Sequence, residues 1–179
     1  MSTQTKPWED SRHFEKAVKY TLLLETGGDL INGGLTNDPY DSGGATKWGI
    51  SQKAFPNIDV RALTLEDAKK LYFRYYYSPV YDQIDSFLIA FKLMDMSVLM
   101  GRITAIRLLQ GTIGVSADGH VGPVTIEAIN ARREADLVNA YENRLKQRIN
   151  YLVIKRPTYK RFKKGWYSRI EYRPNNENN

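Results

Sequence analysis

Residues 25–50 read ETGGDLINGGLTNDPYDSGGATKWGI. The stretch holds seven of the chain's thirteen glycines, five ionisable side chains and almost no apolar run. A structureless loop of this length costs order and gains little burial, and where small domains keep such loops they usually carry function. Apolar, helix-like segments bracket this one on both sides, which argues that it is held. It reads as an active-site loop, with the rest of the chain as its support.

Upstream, Phe14, Ala17, Val18 and Thr21 fall on one helical face between about Arg12 and Glu25, with Leu22 and Leu24 widening it. Gly27 and Gly28 stop that helix, because glycine adopts the left-handed C-terminal geometry cheaply. Glu25 thus sits in the last turn, where the negative end of the helix dipole disfavours a carboxylate. A carboxyl that keeps its proton is a general acid. Position alone leaves a solvated helix-end glutamate as the other reading. The following loop changes the balance. Asn37-Asp38-Pro39-Tyr40-Asp41-Ser42-Gly43-Gly44 has turn chemistry at nearly every step. Thr46 adds a hydroxyl and Trp48 an aromatic face. Glycoside hydrolysis needs an acid to protonate the leaving oxygen and a carboxylate to position water or stabilise positive charge.

At these residues the chain resembles a known family. Glu25 with Gly27-Gly28, then Asn37-Asp38-Pro39, Asp41, Gly43-Gly44-Ala45-Thr46 and Gly49-Ile50 look like the glycoside hydrolase family 108 signature, approximately EGGyxNDPxDxGGxTxxGI. That family comprises lysozyme-like N-acetylmuramidases, many phage endolysins among them. Two departures stand out: Thr26 separates Glu25 from the glycine pair, and Asp29 to Leu35 (DLINGGL) look like an insertion. The resemblance implies a mainly α, lysozyme-like helical fold with a short β-hairpin or irregular active-site loop. It implies cleavage of the β-1,4 bond between N-acetylmuramic acid and N-acetylglucosamine, in a peptidoglycan hydrolase of phage-induced host lysis. By resemblance Glu25 is the catalytic acid, while Asp41 and Thr46 are the carboxylate and hydroxyl of a Glu–Asp–Thr arrangement. Asp38 rivals Asp41, although an Asp before Pro39 is also a natural turn former. Asp38, Trp48 and Tyr75 are the substrate-binding candidates, and Asp29 is a further acid close to Glu25. A lytic transglycosylase at the same bond, or a non-catalytic envelope-binding or secretion-accessory protein, are the alternatives. A basic nucleic-acid-binding protein would leave the glycine-rich loop unexplained, so no nucleic acid partner is expected.

Downstream, Thr64-Leu65-Glu66-Asp67 resembles a capping box with Asp in the place of Glu or Gln. It opens a helix whose Ala68, Leu71, Tyr72 and Tyr75 face inward, and Tyr75-Tyr76-Tyr77 read as core or as a sugar platform. Ser86 to Met100 is apolar nearly all round, the pattern of a buried helix ending at Gly101. Asp95 inside it needs a partner, and Arg102 or Arg107 is the expected one. Gln110, Gly114, Asp118-Gly119, Gly122-Pro123, Thr125 and Ala128 look like the LQxxLGxxxDGxxGpxTxxA pattern of peptidoglycan-binding modules, or like a helix–turn–helix link with the same turn residues. A further helix runs from Glu134 to Ile154, its stripe formed by Leu137, Val138, Tyr141, Leu145, Arg148 and Leu152. Tyr159, Phe162 and Trp166 then recur at helical spacing among cations, giving a basic amphipathic stretch.

Charge and composition bound the rest. Net charge is +6, and Arg144 to Arg173 hold eleven Lys or Arg against Glu171 alone, a local +10 that leaves −4 elsewhere. Such a stretch attracts anionic envelope components, or serves as a solubilising face. With no cysteine, thiol chemistry is excluded. His13 and His120 lie in no ligand-spaced cluster, so no metal and no cofactor is expected. No apolar run spans a membrane and no secretory h-region is visible, so the expected route is synthesis in the host cytoplasm and action on peptidoglycan in the periplasm or cell wall, as a monomer. The expected domains are a flexible N-terminus (1–11), a catalytic lobe (12–84), a peptidoglycan-binding-like helical lobe packed on it (85–170) and a disordered tail (171–179).

Overall fold

The computed structural model describes residues 6–36 and 44–174; residues 1–5, 37–43 and 175–179 lie outside the described residues. The described residues form seven α-helices: α1 (Phe14–Glu25), α2 (Leu65–Tyr75), α3 (Phe87–Met100), α4 (Arg102–Ile113), α5 (Pro123–Asn130), α6 (Glu134–Lys155) and α7 (Lys163–Glu171). The sheet is a two-stranded antiparallel hairpin, β1 (Thr46–Lys47) and β2 (Ile50–Ser51), with Lys47 opposite Ile50. This is the mainly α, lysozyme-like architecture that the sequence implies, with its short hairpin inside the glycine-rich stretch.

The chain divides into two compact units between Tyr77 and Ser78, whereas the sequence reading sets the division at 84/85. The seven intervening residues belong downstream for a physical reason. Tyr81 and Ile84 are fully buried, Asn130 Nδ2 donates to Gln83 O at 2.9 Å, and Asp85 N donates to Asn130 Oδ1 at 3.0 Å.

In the first unit α1 buries Phe14, Ala17, Val18, Thr21 and Leu22, the stripe read from the sequence. Phe14 anchors an aromatic cluster, with ring centroids 5.6 Å from Trp8, 5.0 Å from Phe73 and 5.2 Å from Tyr77. The N-terminal residues 1–11 are therefore not loose throughout: Trp8 is 1% exposed and its Nε1 donates to Glu15 Oε1 at 2.6 Å. The capping box of α2 forms as read, Asp67 N donating to the Thr64 hydroxyl while Thr64 N donates to Asp67 Oδ2. Ala68 and Tyr72 are buried, but Tyr75 is 44% exposed. It lies edge-on to Phe55, and Tyr77, two residues on, takes the inward place.

In the second unit α3 starts at Ser86, whose hydroxyl accepts from Ile89 N, and it is buried without a break from Ile89 to Ser97. Asp95 pairs with neither Arg102 nor Arg107. Arg169 of α7 reaches it instead, Nε and Nη2 each donating at 2.9 Å. Beside it, buried Lys92 meets Glu142 Oε1 at 2.7 Å and donates to the carbonyls of Ile170 and Tyr172. Glu142 also accepts two bonds from Arg173. These bonds place residues 171–173, which the sequence assigns to a disordered tail, against α3 and α6. They also change the buried stripe of α6, which includes Glu142 and Ile149 where the sequence suggests Arg148 and Leu152. Between α4 and α5, buried Gln110 donates to Asp118 Oδ1 and His120 O and accepts from Gly119 N, so the Gln…Asp-Gly residues organise a turn.

Candidate active site

Glu25 is the last residue of α1. The helix is closed behind it by Thr26, whose N and Oγ1 both donate to Leu22 O, and by Gly28 N donating to Leu23 O. Asp29 then folds onto its own backbone, its Oδ1 accepting from Asn32 N at 2.9 Å and Ile31 N at 3.1 Å. The bond from Asn32, with the others, holds its carboxyl below the usual range. Asp29 is thus an ionised turn former, which gives the insertion a fixed shape.

That shape brings the insertion to the hairpin. A Cβ at Gly33 would lie 2.5 Å from Trp48 Cε2, so only glycine lets the backbone rest on the indole. Trp48 N donates to Gly33 O at 2.6 Å, and the two threonines Thr36 and Thr46 exchange both backbone bonds at 2.9 Å. The turn itself is Trp48-Gly49, with φ of 56° and 73°. Two left-handed residues suit the twist of a tight hairpin, yet a bulky residue in that region is strained. Three bonds over-determine it: the one to Gly33, Tyr72 OH to Trp48 O at 2.9 Å, and Trp48 Nε1 to Leu63 O at 3.3 Å. Backbone strain held in this way is a recurrent mark of functional sites.

The turn lies against the acid. A Cβ at Gly49 would meet Glu25 Cβ and Cγ at 2.8 Å and the Tyr72 hydroxyl at 2.7 Å. The stem of Glu25 is therefore packed on Gly49, with Tyr72 alongside. Tyr76 stands one helical turn from Tyr72, ring centroids 5.4 Å apart. Burial first, and then the charge of Glu25, push its phenol above the usual value. Tyr76 stays a neutral O–H next to the acid.

Of the residues singled out from the sequence, the structure brings Glu25 to the hairpin that carries Thr46 and Trp48. Thr46 sits at the hairpin's base, half-buried. Trp48 is 3% exposed and supports the turn from beneath, offering no open face to a sugar. Tyr75 is exposed on α2, with Arg74 5.5 Å from its ring. Asp38 and Asp41 lie outside the described residues. From the sequence Tyr72 reads only as a core residue and Tyr76 only within the Tyr75-Tyr76-Tyr77 run; their i, i+4 spacing on a helix that follows the hairpin was the available signal. Among the described residues no three His, Asp or Glu side chains cluster to hold a metal, and no helix is long and apolar enough to cross a membrane.

Residues 30–101 match the family model of glycosyl hydrolase 108, and residues 104–171 match that of a predicted peptidoglycan domain. The first match begins five residues after Glu25, inside the insertion. The solved structure of SagA from Brucella abortus is similar, with a TM-score of 0.68 and 27% identity over 88% of each chain. Comparison with curated proteins finds no match. The chain thus carries a glycosyl hydrolase 108 region followed by a predicted peptidoglycan domain, and the pair supports a glycosidase acting on peptidoglycan.

Proposed function

We propose that this chain is an N-acetylmuramidase of the endolysin type, cleaving the β-1,4 bond between N-acetylmuramic acid and N-acetylglucosamine during phage-induced lysis. The observation that supports it most is Glu25, an acid at the end of α1 whose stem is packed on the strained Trp48-Gly49 turn. Packing of the stem limits where the carboxyl can reach, which is what positioning a proton at one glycosidic oxygen requires. Glu25 gives its proton to that oxygen as the C–O bond breaks, and the sugar carbon left behind gains positive charge until water adds. Asp41 assists the water or the developing cation, and Thr46 positions that water or Asp41. Asp38 chiefly shapes the loop and, with Tyr75, flanks the bound sugar, while Trp48 contributes by fixing the turn. The enzyme acts as a monomer, without cofactor, in the periplasm or cell wall. Its basic C-terminal stretch adds attraction to anionic envelope components.

Glu25→Gln tests the reading. The amide keeps the shape but cannot deliver a carboxylic proton, so lysis of chloroform-treated cells falls by about 10²–10⁴-fold with the melting temperature unchanged. A folded variant lysing at the wild-type rate overturns the assignment. Asp41→Asn loses activity with modest loss of stability, whereas Asp38→Ala chiefly lowers the melting temperature; the reverse pattern exchanges their roles. Mass analysis of the released sugars separates hydrolysis from a transglycosylase, which leaves an anhydro end.

A further inference from the structure

We propose that the corner made by the end of α6, the 3-10 turn Pro157–Phe162 and α7 is a docking surface for bilayers bearing anionic phospholipids. This deepens the envelope-binding part of the reading above and is independent of its catalytic part. No Asp or Glu occurs from Asn143 to Ile170. Of the eleven cations from Arg144 to Arg173, three are held internally: Lys146 by Glu171, Arg169 by Asp95 and Arg173 by Glu142. The other eight, Lys155, Arg156, Lys160 and Lys164 among them, meet no acidic side chain among the described residues.

Apolar groups are exposed between those cations. Ile154 is 76% exposed, Tyr151 50% and Phe162 43%. Tyr151 and Ile154 share a helix face at i, i+3, and Lys155 and Arg148 lie 5.8 and 5.5 Å from the Tyr151 ring. Phe162 and Tyr159 both pack on Trp166 at 5.6 Å, and Arg161 and Arg156 cover their rings at 4.6 and 5.5 Å. A soluble polyanion would use the cations and leave an exposed isoleucine without a role. A stacking partner would need open ring faces, and here Arg156 and Arg161 lie over those of Tyr159 and Phe162. An anionic bilayer uses both kinds of group: the cations meet the negative surface potential, and Ile154, Tyr151 and Phe162 enter the boundary between headgroups and acyl chains.

The test is cosedimentation of the full chain with vesicles of phosphatidylglycerol in phosphatidylcholine, and with phosphatidylcholine alone. Binding is expected to the first and to fall with salt. Changing Lys155, Lys160 and Lys164 to Gln weakens it about a hundredfold, at about fivefold per charge. Ile154→Ser weakens it roughly tenfold, with an unchanged melting temperature because the side chain is exposed. Equal binding to both vesicles overturns the proposal. So does charge-dependent binding that ignores Ile154→Ser and is fully displaced by soluble polyphosphate, which would make the surface a polyanion site. The vesicles carry no glycan, so this outcome is separate from that of Glu25→Gln.

Discussion

The two units of this chain bring distant residues together by opposite means. Up to Tyr77 the device is omission: Gly33 and Gly49 lack the Cβ that would strike Trp48 and Glu25. From Ser78 onward the device is charge, with Lys92, Asp95 and Glu142 buried and matched by Arg169, Arg173 and backbone carbonyls. The difference teaches where chemistry has room. Close approach through glycine packs the aliphatic stem of an acid on a backbone turn and uses no charge to do so. Close approach through ion pairs commits both charges to structure.

The largest expected effect breaks the charged device. Asp95→Ala leaves Arg169 facing a buried gap and is expected to cost about 3–5 kcal/mol in denaturant unfolding. Replacing both partners by methionine recovers most of that, because no orphaned charge remains. A single-variant loss below about 1 kcal/mol would show that the pair is ornamental and dissolve the contrast.

Next come the glycines. Ala at position 33 or 49 meets both a left-handed backbone and a steric overlap, and each variant is expected to lose roughly 2–4 kcal/mol. Only Gly49→Ala pushes directly on Glu25, so its specific activity falls further than its folded fraction, by up to about 10²-fold for a shift near 1 Å. Equal activity losses in the two variants would remove the distinction between supporting the turn and supporting the acid.

A third effect is confined to acid. Burial raises the Glu142 carboxyl, but bonds from Arg173 and Lys92 outweigh it and the net position is below the usual value. A lowered folded pKa contributes stability that is present above the unfolded carboxylate value and lost as pH falls through the folded one. Melting curves through the acid range should therefore drop more steeply for the wild type than for Glu142→Gln, which starts lower. Parallel curves would show that Glu142 does not carry the acid sensitivity. The smallest effect is a control that touches neither device: Thr64→Ala removes the α2 cap for about 1 kcal/mol, read as a small shift in melting temperature with activity retained.

What the sequence revealed follows the same division. Periodicity and punctuation placed α1, the capping box of α2, the apolar α3 and its end at Gly101, because each is written within a few neighbouring residues. The partner of Asp95 was not legible: Arg169 is 74 positions away, and spacing along a chain carries no information about which cation folds back. The stripe of α6 was misread for the same cause, since Glu142 looks like a surface residue until Lys92 is seen beneath it. At the candidate site, the place of Glu25 at a helix end was legible from the glycines that follow it. Trp48 drew attention as an aromatic near an acid, a pattern that does not reveal which face is buried. Tyr76 was hidden in a run of three tyrosines, where only tertiary packing distinguishes the neighbour of Glu25 from the exposed Tyr75.

The contact between Gly33 and Trp48 has a consequence for anyone who would edit this loop. The indole is roofed by residues of the insertion, and the insertion is pinned by the backbone of the indole's own residue. Trimming Asp29 to Leu35 toward a shorter family form would uncover a large apolar ring beside the acid and release the hairpin at once. A swap that imports a shorter loop must also exchange the residue at position 48 for one at ease with positive φ, such as asparagine or glycine. Residues 29–36 and 44–51 are thus a single cassette for engineering, to be transplanted whole or left in place.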